Sequence, residues 1–191
     1  MPDRRTKHET TREKIAESAG RLFNRHGFNA VSIDDVMADA GLTRGSFYNY
    51  FSSKTELYAQ SVARVVVDAK REASNSHGAA QLGPDKIVRD YLAVRHFEDI
   101  DGRYPMIGLP SDISRTDRAV RQAFESALRF MIETFEQGTG AHARPNRKQA
   151  LAIAALCVGG MVLARSIDDR ELADEMREAA LTVALSLGNW A

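Results

Sequence analysis

The sequence predicts an all-α protein, a three-helix front unit followed by a larger helical unit, about nine helices in all. Three observations carry that prediction. Apolar residues recur at three- and four-residue spacing through almost every segment, as in Val120, Phe124, Leu128, Met131 and Phe135. No stretch alternates in the manner of a β-strand, and the 191 residues include only five prolines. Capping residues and glycines punctuate the periodic segments at helical lengths.

The first helix is expected from about Thr11 to His26. Thr10 with Glu13 forms a capping-box pair, Ile15, Ala19, Leu22 and Phe23 make one apolar stripe, and Gly27 ends it. Ser32 opens the second helix, with Asp34 and Asp35 placed where the helix dipole favours acid. Val36, Met37 and Ala40 are its inner face, and Gly41 closes it. The third begins after Thr43 and ends near Tyr50. Ser53 with Glu56 is a second capping box and opens a long fourth helix to about Ser74. Residues 74–83 are small, polar and aperiodic, a loop. Pro84 starts a fifth helix to about Glu98, and Asp101-Gly102, Pro105 and Pro110 bracket a short broken one. A long helix follows from about Asp117 to Gln137, then a loop over 138–145. Two last helices run near Arg147–Ser166 and Asp169–Leu187. The division is expected at residues 1–52 and 53–191, with helix 53–74 connecting the two.

The chain balances 26 basic against 26 acidic residues, so an indiscriminate nucleic-acid coat is excluded and the placement of charge decides. Residues 4–26 hold seven basic and three acidic side chains, a net +4 in the first helix region. Cys157 is the only cysteine, so no disulfide forms within one chain, and a small buried core residue is its expected role. The first thirty residues are charged and have no signal-peptide pattern. The longest apolar run, Leu151–Ala164, is fourteen residues, short against the ~20 of a bilayer span. A cytoplasmic protein with no membrane partner is expected.

Residues 41–54, GLTRGSFYNYFSSK, hold the strongest functional signal. Three short helices, the second and third joined by Gly41-Leu42-Thr43, match a helix-turn-helix. Gly41 permits the left-handed backbone of a tight turn. Phe47 and Phe51 are four apart and share a face that anchors the third helix to the core. Arg44 and Tyr48 share another, which leaves Arg44, Gly45, Ser46, Tyr48 and Asn49 to meet a duplex. Arg44 can fork onto guanine, the Tyr48 and Tyr50 hydroxyls can reach phosphates, and Gly45 lets the backbone come close. Lys54 adds charge at the start of the fourth helix, where backbone amides attract phosphate. With Ser32 and Thr43 these residues make up the candidate DNA contacts. The alternative is an aromatic helix that is only core. Against it, the four aromatics within Phe47–Phe51 cannot all be buried on a short helix.

Residues 12–62 resemble the DNA-binding domain of the TetR family of bacterial transcriptional regulators. The resemblance is carried by A-x-x-L-F-x-x-x-G-F at Ala19–Phe28 and S-I-D-D-V at Ser32–Val36. It continues through A-G-L-T-R-G-S-F-Y-N-Y-F-x-S-K-x-E-L at Ala40–Leu57. It implies an all-α homodimer on a palindromic double-stranded DNA operator. The recognition helix then falls at Thr43–Tyr50 and the phosphate-contacting lysine at Lys54. Arg4, Arg5 and Lys7 either extend into the minor groove or form a solvated arm.

The family's ligand pocket, among helices four to eight, falls here on Val62, Val66, Tyr91, His96, Tyr104, Met106, Phe124, Leu128, Met131 and Met161. A mostly apolar lining with few polar groups suits a small hydrophobic effector. Residues 105–114 and 162–169 resemble a subgroup in which a cysteine precedes the proline; here that position is Tyr104, which excludes a thiol switch at that site. Small residues on the penultimate helix, Ala152, Ala155, Gly159 and Ala164 with Ala150, Ala154 and Gly160, allow close packing. Either the last two helices pair between two chains or this one is buried within one chain. Arg165, Asp168, Asp169 and Arg170 read as an exposed charge cluster and not a site.

The histidines at 8, 26, 77, 96 and 142 lack metal-ligand spacing. There is no Gly-rich dinucleotide or phosphate loop and no nucleophile elbow. No enzyme, metal or cofactor is expected. The expected function is a homodimeric repressor, released from its operator by an effector of unknown identity.

Overall fold

The computed structural model describes residues 4–75, 83–99, 113–137 and 144–190. Among the described residues every regular element is helical: eight α-helices and one 3₁₀ helix. They are α1 (Arg4–His26), α2 (Ile33–Asp39), the 3₁₀ helix (Arg44–Asn49), α3 (Lys54–Asn75), α4 (Pro84–Tyr91), α5 (Val94–Glu98), α6 (Arg118–Gln137), α7 (Arg147–Arg165) and α8 (Arg170–Leu187). The short broken helix expected around Pro105 and Pro110 lies outside the described residues. The chain divides into two compact units, Met1–Val67 with Asp101–Ser126, and Asp68–Ile100 with Ala127–Ala191.

The first unit closes on one apolar cluster. Ile15, Ala19 and Phe23 of α1 meet Val36 and Met37 of α2, Phe47 and Phe51, and Leu57, Tyr58 and Val62 of α3. Ile113 and Val120 complete it. The core therefore reaches past residue 52, because the first turns of α3 bury Leu57 and Tyr58 in it. Phe23, Phe28 and Tyr58 stack into one aromatic group, with centroids 4.7–5.5 Å apart. The left-handed turns expected of glycine occur at Gly27 (φ 78°) and Gly41 (φ 69°).

Helix α1 does not begin at Thr11. It runs back to Arg4, so Thr10 and Glu13 are interior residues and not a cap. Arg, Lys and Glu are good helix formers. The hydroxyls of Thr10 and Thr11 bond back to the carbonyls of Thr6 and Lys7. Arg4 and Lys7 thus belong to a helix and not to an extended arm. The Ser53–Glu56 pair at the start of α3 is half of a capping box. Ser53 Oγ accepts from the Glu56 N–H (3.0 Å), but the Glu56 carboxylate takes the backbone N–H and hydroxyl of Ser52.

In the second unit α7 and α8 form a tightly packed helical hairpin. Gly160 faces Ala180 so closely that a Cβ on the glycine would lie 2.6 Å from the alanine Cβ. Ala150, Ile153, Ala154, Cys157, Met161 and Ala164 are buried along α7. Helix α7 is long and apolar enough by composition to cross a membrane, but this buried face packs within the unit. The Cys157 thiol is fully enclosed, and burial pushes it up to about 12. Asn146 and Gln149 cap α7 reciprocally, and Asp169 caps α8 by accepting from the Glu171 and Leu172 N–H groups. After α8, Asn189 adopts φ 55° and Trp190 folds back, its backbone N–H donating to the Leu185 carbonyl.

The expected fifth helix is two, α4 and α5, with a break at Leu92–Ala93. The cause is a distant side chain. Buried Arg177 donates through Nη1 to the Leu92 carbonyl (2.6 Å), drawing that acceptor out of the helical ladder, and through Nη2 to Asp174 (2.5 Å). The 165–170 segment is likewise more than an exposed charge cluster. Arg165 Nη2 donates to the carbonyls of His96 (2.5 Å) and Asp99 (3.0 Å). Arg170 lies over the Phe97 ring at 4.7 Å and pairs with Glu98 and Asp174. Three arginines thus fasten the end of α5 to α7 and α8.

Candidate nucleic-acid interface

The segment after Gly41 positions the candidate contacts. Thr43 is extended (φ −90°, ψ 147°) and starts the 3₁₀ helix. An α-helix was expected here. Ser46 diverts the chain into the tighter form, because both its N–H (3.1 Å) and its hydroxyl (2.8 Å) bond the Thr43 carbonyl. Tyr50 N–H then bonds the Phe47 carbonyl at 2.9 Å. Phe47 and Phe51 are buried as expected, 5.9 Å apart and nearly parallel, and pin the element to the core.

That burial turns other side chains outward. Tyr48 is 66% exposed, its ring edge-on to Phe47. Thr43, Arg44, Gly45 and Asn49 are also exposed. A Cβ added at Gly45 would meet nothing within 4 Å, so any need for glycine there would come from a partner. Arg44 is engaged: its Nη1 donates to Asp34 Oδ2 at 2.7 Å. Ser32 is committed to its cap. Its backbone N–H (2.8 Å) and hydroxyl (2.6 Å) donate to Asp35 Oδ2, and its hydroxyl accepts from the Asp35 N–H (3.1 Å). Those bonds hold the Asp35 carboxyl below its ordinary range.

Two residues expected to face outward are partly internal. Tyr50 is half-buried, because His8 of the extended α1 stacks on it at 4.7 Å. His8 Nε2 also reaches the Asn49 carbonyl (3.1 Å). Lys54 is half-buried too, and its ammonium lies 4.3 Å from the Phe28 centroid and 5.9 Å from that of Phe23. Desolvation lowers its pKa while Asp35 opposes the shift. Lys54 is thus a cation on an aromatic platform that joins the start of α3 to the turn after α1.

Three residues that touch the candidate contacts were not legible as site residues in the sequence: His8 and Arg12, which hold Tyr50, and Asp34, which pairs with Arg44. Arg12 donates through Nε to the Tyr50 carbonyl (3.3 Å), pairs with Glu56 (3.1 Å) and covers the Phe51 ring at 4.9 Å. It thereby holds the end of the 3₁₀ helix against both α1 and α3. Its partners lie 38 and 44 residues away, a separation no local pattern reports.

The candidate effector residues fall in both units. In the first, Val62 is core, Phe124 packs against that core and Val66 is half-buried. In the second, Tyr91, His96, Met131 and Met161 are buried and Leu128 is half-buried. Tyr91 and His96 stack at 5.3 Å beside Arg165. Burial, with Arg165 and Arg95 nearby, lowers His96 to about 4, so its ring is neutral at physiological pH. Tyr104 and Met106 lie outside the described residues. Of the candidate interface residues, Ala164 is fully buried against its own chain, Ala152 and Gly159 are half-buried, and Ala155 is exposed.

Comparison with known proteins finds likenesses to the front unit and to the fold. Residues 15–60 match the family model described as bacterial regulatory proteins, tetR family. The chain is 28% identical over 137 residues to the HTH-type transcriptional repressor DhaR of Mycobacterium sp. (strain GP1), covering 67% of this chain and 69% of that one. It is 26% identical over 167 residues to an uncharacterized HTH-type transcriptional regulator in the lacX 3' region of Lactococcus lactis subsp. lactis, covering 83% and 85%. The crystal structure of reduced E. coli NemR shares the fold, with a TM-score of 0.72 and 21% identity over 93% of this chain and 96% of that one.

Proposed function

We propose, from the premise that this chain belongs to the TetR family of transcriptional regulators, that it is a homodimeric repressor released from a palindromic operator by a small, mostly apolar effector. The family is one of DNA-binding regulators and not of enzymes. The observation that carries the DNA contact is the exposed row of Arg44, Gly45, Tyr48 and Asn49 beside the buried Phe47 and Phe51. Arg44 reads a base, Tyr48 reaches phosphate, and Lys54 supplies charge from the start of α3. Such a partner places the protein in the bacterial cytoplasm.

Dimerisation is supported by an apolar stripe at four-residue spacing on α7. Leu151 (44% exposed), Ala155, Gly159 and Leu163 (52% exposed) share this face, opposite the one that packs on α8. Leu172 and Val183 of α8 are exposed as well. A second copy laid on these helices makes a four-helix bundle. Repression is supported by the likeness to DhaR, a transcriptional repressor. The effector belongs among the largely apolar residues around Tyr91, His96, Met131 and Met161. It acts by favouring an orientation of α3 that spoils the roughly 34 Å spacing of two recognition elements in successive major grooves. A hundredfold loss of operator affinity needs about 2.7 kcal/mol of differential effector binding.

The test is selection of a binding site from a pool of random duplexes, followed by Arg44→Ala. The variant is expected to lose about 1–3 kcal/mol on the selected site and to relax one base position. Unchanged affinity refutes the base contact. Uniform weakening over all sequences makes Arg44 a phosphate contact instead. Sedimentation of a monomer at micromolar concentration refutes the dimer.

A further inference from the structure

We infer that Asp34 is a specificity-determining residue: its ion pair with Arg44 weakens binding to arbitrary duplex more than binding to the operator. This rests on the reading of Arg44 as a base contact. Asp34 stands in the first turn of α2 and Arg44 opens the 3₁₀ helix ten residues later. Arg44 Nη1 donates to Asp34 Oδ2 at 2.7 Å, and the two side chains are 68% and 53% exposed. The pair stands in water, open to an approaching duplex.

The carboxylate of Asp34 has no part in capping α2. That task belongs to Asp35, three residues into the helix, which exchanges hydrogen bonds with Ser32. What Asp34 does is neutralise the side chain best placed to read a base. Affinity for arbitrary DNA comes almost wholly from phosphate charge. A phosphate nearing Arg44 meets a carboxylate at the same place, so the attraction is largely cancelled. Guanine is different: its O6 and N7 present two aligned acceptors at hydrogen-bonding range. Asp34 engages Arg44 through Nη1, while the guanidinium fork carries five N–H donors in all. The base contact therefore recovers what the carboxylate removes, and a lone phosphate does not. An exposed ion pair contributes at most about 1 kcal/mol, which is about fivefold in an equilibrium constant. The consequence is a bias on every non-operator site and not an on–off switch.

Asp34→Asn keeps the shape and removes the charge. Its dissociation constants are measured on the selected operator and on a random-sequence duplex of equal length, at 50–200 mM salt, beside wild type, Arg44→Ala and the double variant. Asp34→Ser serves as a second charge-removing variant, and thermal unfolding checks that each is folded. The expected result is a three- to fivefold tightening on random duplex with less than a twofold change on the operator. That difference should vanish when Arg44 is already alanine. Equal tightening on both duplexes would make Asp34 a plain surface charge and overturn the inference. Failure of the underlying reading looks different, since Arg44→Ala alone would then leave operator affinity unchanged.

Discussion

Adjacent glycines in α7 offer a controlled test of how closely the last two helices pack. A Cβ on Gly160 would lie 2.6 Å from Ala180 Cβ and 3.5 Å from Leu92 Cδ2, whereas one on Gly159 would meet nothing within 4 Å. Replacing either by alanine gains about 1 kcal/mol of helix propensity. Only the Gly160 variant must also open the α7–α8 contact, by about 1 Å, to reach an ordinary carbon–carbon separation. Overpacking of that kind costs about 1–3 kcal/mol. Gly160→Ala should therefore be neutral to about 2 kcal/mol less stable than wild type, and Gly159→Ala about 1 kcal/mol more stable. Urea unfolding followed by circular dichroism resolves that gap, provided the two variants share one m-value. The measurement is repeated over a range of protein concentrations, because a dimer's stability depends on mass action. Gly159 is half-buried on the same face as exposed Leu151 and Leu163, so a gain that shrinks at high concentration marks a methyl intruding on a partner copy. Equal stability of the two variants, or a more stable Gly160→Ala, would refute the close approach of α7 and α8.

Two further outcomes are expected. Lys54→Met keeps an apolar stem near Phe28 but removes the cation, which costs about 0.5–1 kcal/mol of stability. As a phosphate contact it should also weaken binding to all duplexes and lower the salt slope by about 0.9; lost stability with an unchanged slope would confine Lys54 to the fold. His96 titrates at about 4 in the folded chain and near 6.5 when unfolded. As pH falls through that window the unfolded state binds a proton that the folded state refuses. The contribution is fully present above about 6.5, declines toward 4, and amounts to roughly 2 kcal/mol after allowing for partial solvent screening. Unfolding of His96→Gln between pH 4.5 and 7 should lack that part of the slope, and parallel slopes would refute the assignment.

The candidate site was legible where its signals are local. The turn glycines Gly27 and Gly41, the Ser32 cap of α2 and the burial of Phe47 with Phe51 follow from backbone conformation and four-residue spacing. Misreadings arose where a distant group intervened. Arg177 breaks the fifth helix through a bond to Leu92, 85 residues away. His8 and Arg12 draw Tyr50 partly inward from α1. Phe28 and Phe23 lie under the ammonium of Lys54, a placement that no local pattern reports.

By itself the sequence determined the helical character of the described residues, the position of the helix-turn-helix segment and most of the residues that turn outward there. These depend on turn chemistry and on periodicity within a few residues, which a sequence records directly. Tertiary structure decided the state of those outward residues. Arg44 is paired with Asp34, Tyr50 is stacked on His8 and Lys54 rests on an aromatic ring. It also divided the small residues of α7, burying Gly160 and Ala164 while leaving Ala155 exposed. Long charged side chains and small residues fit many surroundings equally well, so their roles depend on what the fold brings within a few ångströms of them.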